Sequence, residues 1–183
     1  MWGHADAPPY RFDPKRAREL LAEAGLPDGF TTELWYPPLS SPLEPAPRAM
    51  AEAIASYLAD VGVEARPRTQ DWTAYLADAN EGRLPLYLLG WGMDAADPDD
   101  LLRPFFGERR YAAPGWDDRD VVAWLEAARR SAEPDERAEL YARVLTRVRE
   151  QVPSLPTVHA RSVHGVRAHA IAVDLAVPGA AQR

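Results

Sequence analysis

The sequence contains no cysteine, a single lysine (Lys15) and a single asparagine (Asn80) among 183 residues. The first absence excludes thiol nucleophiles, zinc-thiolate sites and iron–sulfur clusters. It leaves the redox compartment open, because a chain of this length hides about 70% of its unfolded surface and needs no disulfide to hold a core. A basic block is missing too: 28 acidic side chains face 21 basic ones, for a net charge of −7. That balance argues against a surface that tracks nucleic-acid phosphates. No apolar run approaches the roughly 18 residues of a membrane span. Met1-Trp2-Gly3-His4 supplies neither the basic nor the apolar region of an export signal, so the residues as given read as soluble. Gly-x-Ser-x-Gly, a glycine-rich phosphate loop and His-Glu-x-x-His are all absent. The scarcity of lysine, beside 18 prolines and many arginines and alanines, reads as a coding bias or heat adaptation rather than function.

What is present is an ordered alternation. Asp13 as N-cap, Pro14 at the first helical position and Ala17, Leu20, Leu21 and Ala24 on one face predict a helix that Gly25 ends. Phe30–Tyr36, β-branched and aromatic, predicts a strand halted by Pro37-Pro38. After a loop rich in proline, Pro47 opens a second helix with Met50, Ile54, Tyr57, Leu58 and Val61 inward, closed by Gly62. Val63–Thr69 predicts a weaker strand, placed at an edge by Pro67. Asp71 caps a short helix to about Asn80, and the unbroken apolar run Leu84–Leu89 predicts a central parallel strand covered on both faces. Two consecutive helices follow, started by Asp117 or Asp118 and by Glu133-Pro134, with extended stretches expected at 155–160 and 165–173. The order α-β-α-β-α-β is that of a layered α/β unit with a mostly parallel sheet.

Ligands of open parallel sheets sit outside the carboxyl ends of the strands. Here those ends carry Tyr36, Arg68–Trp72 and Gly90-Trp91-Gly92-Met93-Asp94. In the last, glycine permits close approach of a ligand to the backbone, Trp91 offers a flat apolar wall, and Asp94 can accept a charge-assisted hydrogen bond from a cation. A tight turn around a core tryptophan is an equally good account of the same residues. The carboxylates of Asp97, Asp99 and Asp100 do not fit a calcium loop, which would need glycine where Leu102 stands. Helix initiation explains them, with Asp97 as N-cap and Pro98 at the first position. His159, His164 and His169 recur every five residues, a spacing that alternates faces on a strand and makes a metal site the weaker reading.

Taken together, Tyr10–Ala17 leading to Leu20–Gly25 and Asp28–Phe30, then Leu58–Val63, Asp71–Leu76, Gly90–Asp94 with Asp97-Pro98, Asp135–Tyr141 and Val152–Pro156 resemble the C-terminal lobe of family 5 extracellular solute-binding proteins. These are the dipeptide and oligopeptide receptors of ABC importers. The resemblance implies a type II periplasmic-binding-protein lobe over residues 1–158 and a segment over 159–183 that returns to a first lobe not among these residues. It implies no enzyme activity and no cofactor. It also implies a peptide paired through its backbone with Gly90–Gly92 and its α-ammonium held by Asp94, to which the strand-end reading adds Tyr36 and Trp91 as ligand-binding candidates. The implied partners are the first lobe of the same receptor and an ABC permease, with the full receptor periplasmic or anchored outside the membrane, and self-association or exchange of the C-terminal segment is a further expectation. Leu88 departs from the pattern, standing where some peptide-binding relatives carry an arginine for the ligand's carboxylate. Nickel, haem, sugar and opine ligands also occur in the family. The alternative reading is a stand-alone α/β interaction domain that self-associates; a hydrolase built on Asp94 and Asp97 is a remote third.

Overall fold

The computed structural model describes residues 10–108, 111 and 115–158. The stretch expected to be extended over 165–173, the segment 159–183 and all four histidines lie outside the described residues. The described residues divide into two compact units, 10–90 with 111 and 115–116, and 91–108 with 117–158.

The first unit runs α1(Pro14–Glu23), β1(Phe30–Trp35), α2(Pro47–Ala59), β2(Val63–Arg68) and α3(Trp72–Asn80). Its boundaries follow local chemistry. The Arg16 backbone N–H donates to Asp13 Oδ1 at 2.9 Å and the Thr73 N–H to Asp71 Oδ1 at 2.9 Å, so each cap satisfies an otherwise orphaned amide. Prolines open α1 and α2 where their missing N–H costs nothing. Strands β1 and β2 pair in parallel, in register from Phe30 with Val63 to Trp35 with Arg68. Pro67 lies opposite Leu34 within this ladder. The core is two apolar clusters. Leu34, Ala51, Ala65 and Leu88 form one, flanked by Tyr36 and Ile54; Tyr75, Ala79 and Leu84 form the other, flanked by Trp35 and Tyr87.

The expected central strand over Leu84–Leu89 is corrected by the structure. Only Trp35 bridges to Tyr87, with the Trp35 N–H donating to the Leu86 carbonyl (2.8 Å) and the Leu88 N–H to the Trp35 carbonyl (2.9 Å). Pro85 removes a ladder donor. The run is apolar because Leu84 and Leu88 enter different clusters, while Leu86 remains 39% exposed.

The second unit contains α4(Pro98–Phe106), α5(Arg119–Arg130) and α6(Pro134–Gln151). Asp118 is the cap of α5, accepting from the Asp120 and Val121 N–H groups. Val121, Leu125 and Ala128 are buried, as the periodicity predicts; on α6 Tyr141 and Val144 are buried while Leu140, Leu145 and Val148 are half-buried. The i, i+4 pairs Glu126–Arg130 and Glu139–Arg143 form on the exposed side. Residues 155–158 have no regular structure. Among the described residues no helix is long and apolar enough to cross a membrane.

Gly25 and Gly29 share a positive φ, +81° and +75°, but not their surroundings. A Cβ on Gly29 would fall 1.8 Å from the Gly62 carbonyl oxygen, whereas one on Gly25 would meet nothing within 4 Å. Gly25→Ala should therefore lose only the left-handed backbone penalty, about 1 kcal/mol. Gly29→Ala should lose at least about 2 kcal/mol, because backbone must move. Urea midpoints of the two variants check this; equal losses would contradict the close contact.

Candidate functional site

The segment Gly90–Asp94 spans the division of the chain: Gly90 closes the first unit and Trp91 opens the second. Each side is built separately.

In the first unit, the residues before Gly90 are tied down by buried hydrogen bonds. The Tyr75 hydroxyl, from α3, donates to the Leu88 carbonyl at 2.5 Å and lies 3.4 Å from the Trp35 carbonyl. Burial pushes the Tyr75 phenol far above its ordinary range, with the negative charge of Glu44 and then Tyr87 adding to the shift. The Tyr87 hydroxyl donates to the Tyr111 carbonyl at 2.6 Å, and burial pushes its pKa up to about 12. Both tyrosines therefore act as neutral hydrogen-bond donors. A Cβ on Gly90 would lie 2.9 Å from Glu44 Cγ and 3.0 Å from Leu43 Cβ. Glycine stands at this position because the 41–44 turn packs directly on its backbone. Glu44 itself is 7% exposed. No residue pattern points to this contact, since Glu44 sits in a loop that reads as a proline-rich connector.

Tyr36, expected beside a ligand, is half-buried against the Leu34 cluster. It also lines a shallow depression at the carboxyl end of β1 with Ser40, Arg48, Glu52 and Thr69.

In the second unit, Trp91 is 36% exposed, so it is neither a core tryptophan nor a free one. Its ring meets Phe105 of α4 edge-on at 5.3 Å, and its indole N–H donates to the Asp100 carbonyl at 3.3 Å. Gly92 and Asp94 are exposed. The Asp100 carboxylate collects the N–H groups of Asp94 (2.6 Å) and Ala95 (3.1 Å) on one oxygen. Asp100 thus holds both ends of the Trp91–Ala95 turn from the first turn of α4. Asp97 is the cap expected from the sequence, with the Asp99 N–H donating to its Oδ1 at 2.9 Å. It does more than cap. Arg137 of α6 donates from one nitrogen to both Asp97 oxygens (2.9 and 2.8 Å) and from Nε to the Ala128 carbonyl of α5 (3.0 Å). Burial pushes the Asp97 carboxyl up, but the Asp99 amide, the Arg137 guanidinium and Tyr141 outweigh it and hold it below the usual carboxylate range. Among the described residues no three histidine, aspartate or glutamate side chains converge to hold a metal.

Within the second unit, the feature with the chemistry of a binding group is an exposed carboxylate, Asp94, on a braced turn. The fold is that of a lobe of a periplasmic binding protein, with mixed helices and a small parallel sheet. The chain belongs to the bacterial extracellular solute-binding proteins of family 5, whose middle-region model matches residues 1–113. It is 35% identical to heme-binding protein A of Haemophilus influenzae, covering 87% of this chain and 30% of that protein. It is 34% identical to the dipeptide-binding protein of Escherichia coli, covering 91% of this chain and 32% of that protein. A dipeptide-binding protein from Pseudoalteromonas sp. SM9913, solved in complex with Met-Leu, superposes with a TM-score of 0.72 at 29% identity, over 78% of this chain and 29% of its own. The chain spans about a third of the length of these relatives.

Asp100→Ala removes the acceptor for two amides and should speed hydrogen exchange at Asp94 and Ala95 about tenfold or more. Amide exchange read by NMR checks this, and unchanged protection would show that the turn holds without Asp100. Because Asp97 has a depressed pKa in the folded state, its stabilising contribution is present above the unfolded value and is lost as pH falls through the folded one, below about pH 4. Arg137→Gln should lower stability by about 2 kcal/mol at neutral pH and flatten that acid limb; denaturant unfolding at pH 7 and pH 3.5 measures both.

Proposed function

We propose that this chain is the ligand-binding lobe of a peptide receptor serving an ABC importer. It takes the peptide backbone along Gly90–Gly92 and the peptide's α-ammonium at Asp94. The observation that carries the reading is the state of Asp94. Its backbone is braced by Asp100, while its side chain is exposed and makes no ion pair among the described residues. An exposed carboxylate carried on a braced backbone can receive a cation, and a charge-assisted hydrogen bond is about twice as strong as a neutral one. An extended peptide adding to exposed backbone is recognised independently of its side chains, so an anchored ammonium supplies the register. The names of the relatives from Escherichia coli and Pseudoalteromonas, and the Met-Leu held by the latter, support a peptide as ligand. No covalent step is involved: ligand binding shifts an open–closed equilibrium between this lobe and a first lobe, and the closed form docks on the permease.

In the receptor that carries this chain, Asp94→Asn should weaken free-amino dipeptides about 10- to 100-fold, the worth of one hydrogen bond to a charged group. N-acetylated peptides, which have no ammonium, should bind weakly to both forms. Calorimetric titration makes the comparison, and equal affinity of the two forms for free-amino dipeptides would remove Asp94 from the site.

A further inference from the structure

We propose that Pro104 of α4 is a positioning residue for Trp91: by withholding a helical N–H from the Asp100 carbonyl, it leaves that carbonyl to the Trp91 indole and so fixes the ring at the head of the turn that carries Asp94. The inference rests on the peptide reading above, but the bond at its centre exists without ligand.

The backbone of α4 sets up this exchange. In an α-helix each N–H donates to the carbonyl four residues before it. For the Asp100 carbonyl that donor would be residue 104, which is a proline inside the helix and has no N–H to give. A proline ring also crowds the carbonyl at that distance and bends the helix open there. The Asp100 carbonyl is met instead from outside the helix, by the Trp91 indole N–H at 3.3 Å. The next residue completes the seat: the Phe105 ring meets the Trp91 ring edge-on at 5.3 Å. Consecutive residues of α4 thus provide for the polar end of the indole and for its ring.

The base of this seat is fixed. Leu102 and Phe106 of α4 are buried, Arg103 pairs with Asp99 at 3.0 Å, and the Asp100 N–H donates to the Asp97 carbonyl at 3.1 Å. Asp100 then serves the turn twice. Its carboxylate takes the Asp94 and Ala95 amides (2.6 and 3.1 Å), and its carbonyl takes the indole. Trp91 and the backbone of Asp94 are therefore held by one residue, and the bond to Trp91 is the one that depends on what stands at 104.

Packing alone does not ask for proline at this point. Proline is the least favourable residue in a helix interior and alanine the most favourable, and Pro104 is half-buried rather than part of the core. A residue that breaks a local rule is expected where function gains from it. What the break releases here is an acceptor for Trp91, whose ring remains 36% exposed. A ring held in one orientation before the ligand arrives spares the cost of ordering it on binding.

The test combines ¹H–¹⁵N spectra of the 183-residue chain with calorimetric affinities for Met-Leu in the receptor that carries it. Pro104→Ala returns an N–H to the helix. The Trp91 indole N–H signal is then expected to move upfield and to exchange with solvent about tenfold faster or more. The variant should unfold at the same temperature or higher, yet bind Met-Leu about two- to tenfold more weakly, the worth of one neutral hydrogen bond. A merely structural proline would move stability and affinity in the same direction. Trp91→Phe, which keeps an aromatic ring but has no indole N–H, should weaken binding on its own, and adding Pro104→Ala to it should change nothing further. An indole signal that stays in place in Pro104→Ala overturns the proposal, as does a lower unfolding temperature, which would put Pro104 in the packing. So does a Met-Leu affinity unchanged in either single variant although the indole is released, or one that falls by the same factor again in the Trp91→Phe background. Should the wild-type receptor fail to bind Met-Leu although Pro104→Ala releases the indole, the peptide reading fails and takes the positioning role with it, leaving the link between Pro104 and Trp91 established.

Discussion

The candidate segment depends on one constraint: backbone polar groups at the carboxyl end of β1 must find partners where water is excluded. Trp35 shows how tightly this is solved. Its N–H meets the Leu86 carbonyl, and its own carbonyl receives the Leu88 amide with the Tyr75 hydroxyl close by. A full third strand would have satisfied the same groups with a ladder, but Pro85 forbids it. A tyrosine from α3 reaches across instead and meets the Leu88 carbonyl. An unsatisfied buried carbonyl costs roughly 1–3 kcal/mol, so this hydroxyl matters more than its size suggests. It converts a single bridge into a fixed launching point for Gly90.

The acidity of the chain has a related explanation. Asp13, Asp71, Asp97, Asp100 and Asp118 each accept from backbone N–H groups at the start of a helix or turn. These carboxylates complement helix N-termini, which are electropositive. Asp97 and Asp118 add an arginine from α6, Arg137 and Arg147, and so tie distant parts of the second unit together. Burial raises the pKa of both, but the capped amides (of Asp99 and of Val121) and then the arginines outweigh it and leave both values depressed. Asp94 differs from all of these: its amide is a donor within the network, and its carboxylate lies outside it.

Legibility from the sequence followed the range of the interactions. Caps, opening prolines and closing glycines act within four residues of themselves, and they placed all the helices of the first unit and both its strands. The apolar face of α5 was equally plain, because one helix face determines it. Leu84–Leu89 misled because hydrophobicity reports burial and not what does the burying; the run serves two clusters rather than two faces of a strand. Missed altogether were Glu44 with Gly90, Asp100 with Asp94, and Arg137 with Asp97. The first and third join residues some 40 or more positions apart, where neither periodicity nor spacing leaves a trace. Asp100 was within reach, six residues after Asp94, but its place in a first helical turn offered a sufficient explanation of its own. Gly90 was singled out as a position of close approach, and within this chain the groups that approach it are Glu44 and Leu43.

Leu88 bears on what such a site can select. The resemblance places there an arginine that, in some peptide-binding relatives, meets the ligand's carboxylate. In this chain Leu88 is 8% exposed and belongs to the cluster of Leu34, Ala51 and Ala65. An arginine at this point would bury its guanidinium among aliphatic side chains, with desolvation unopposed by any acid in that cluster. The position is therefore committed to the core, and recognition on the proposed reading is one-ended. Affinity would come from backbone pairing along Gly90–Gly92 and from the ammonium at Asp94, with nothing at Leu88 to sense where the peptide stops. On that reading the site would discriminate by the presence of a free amino end rather than by length, with Asp100 bracing the turn that presents Asp94.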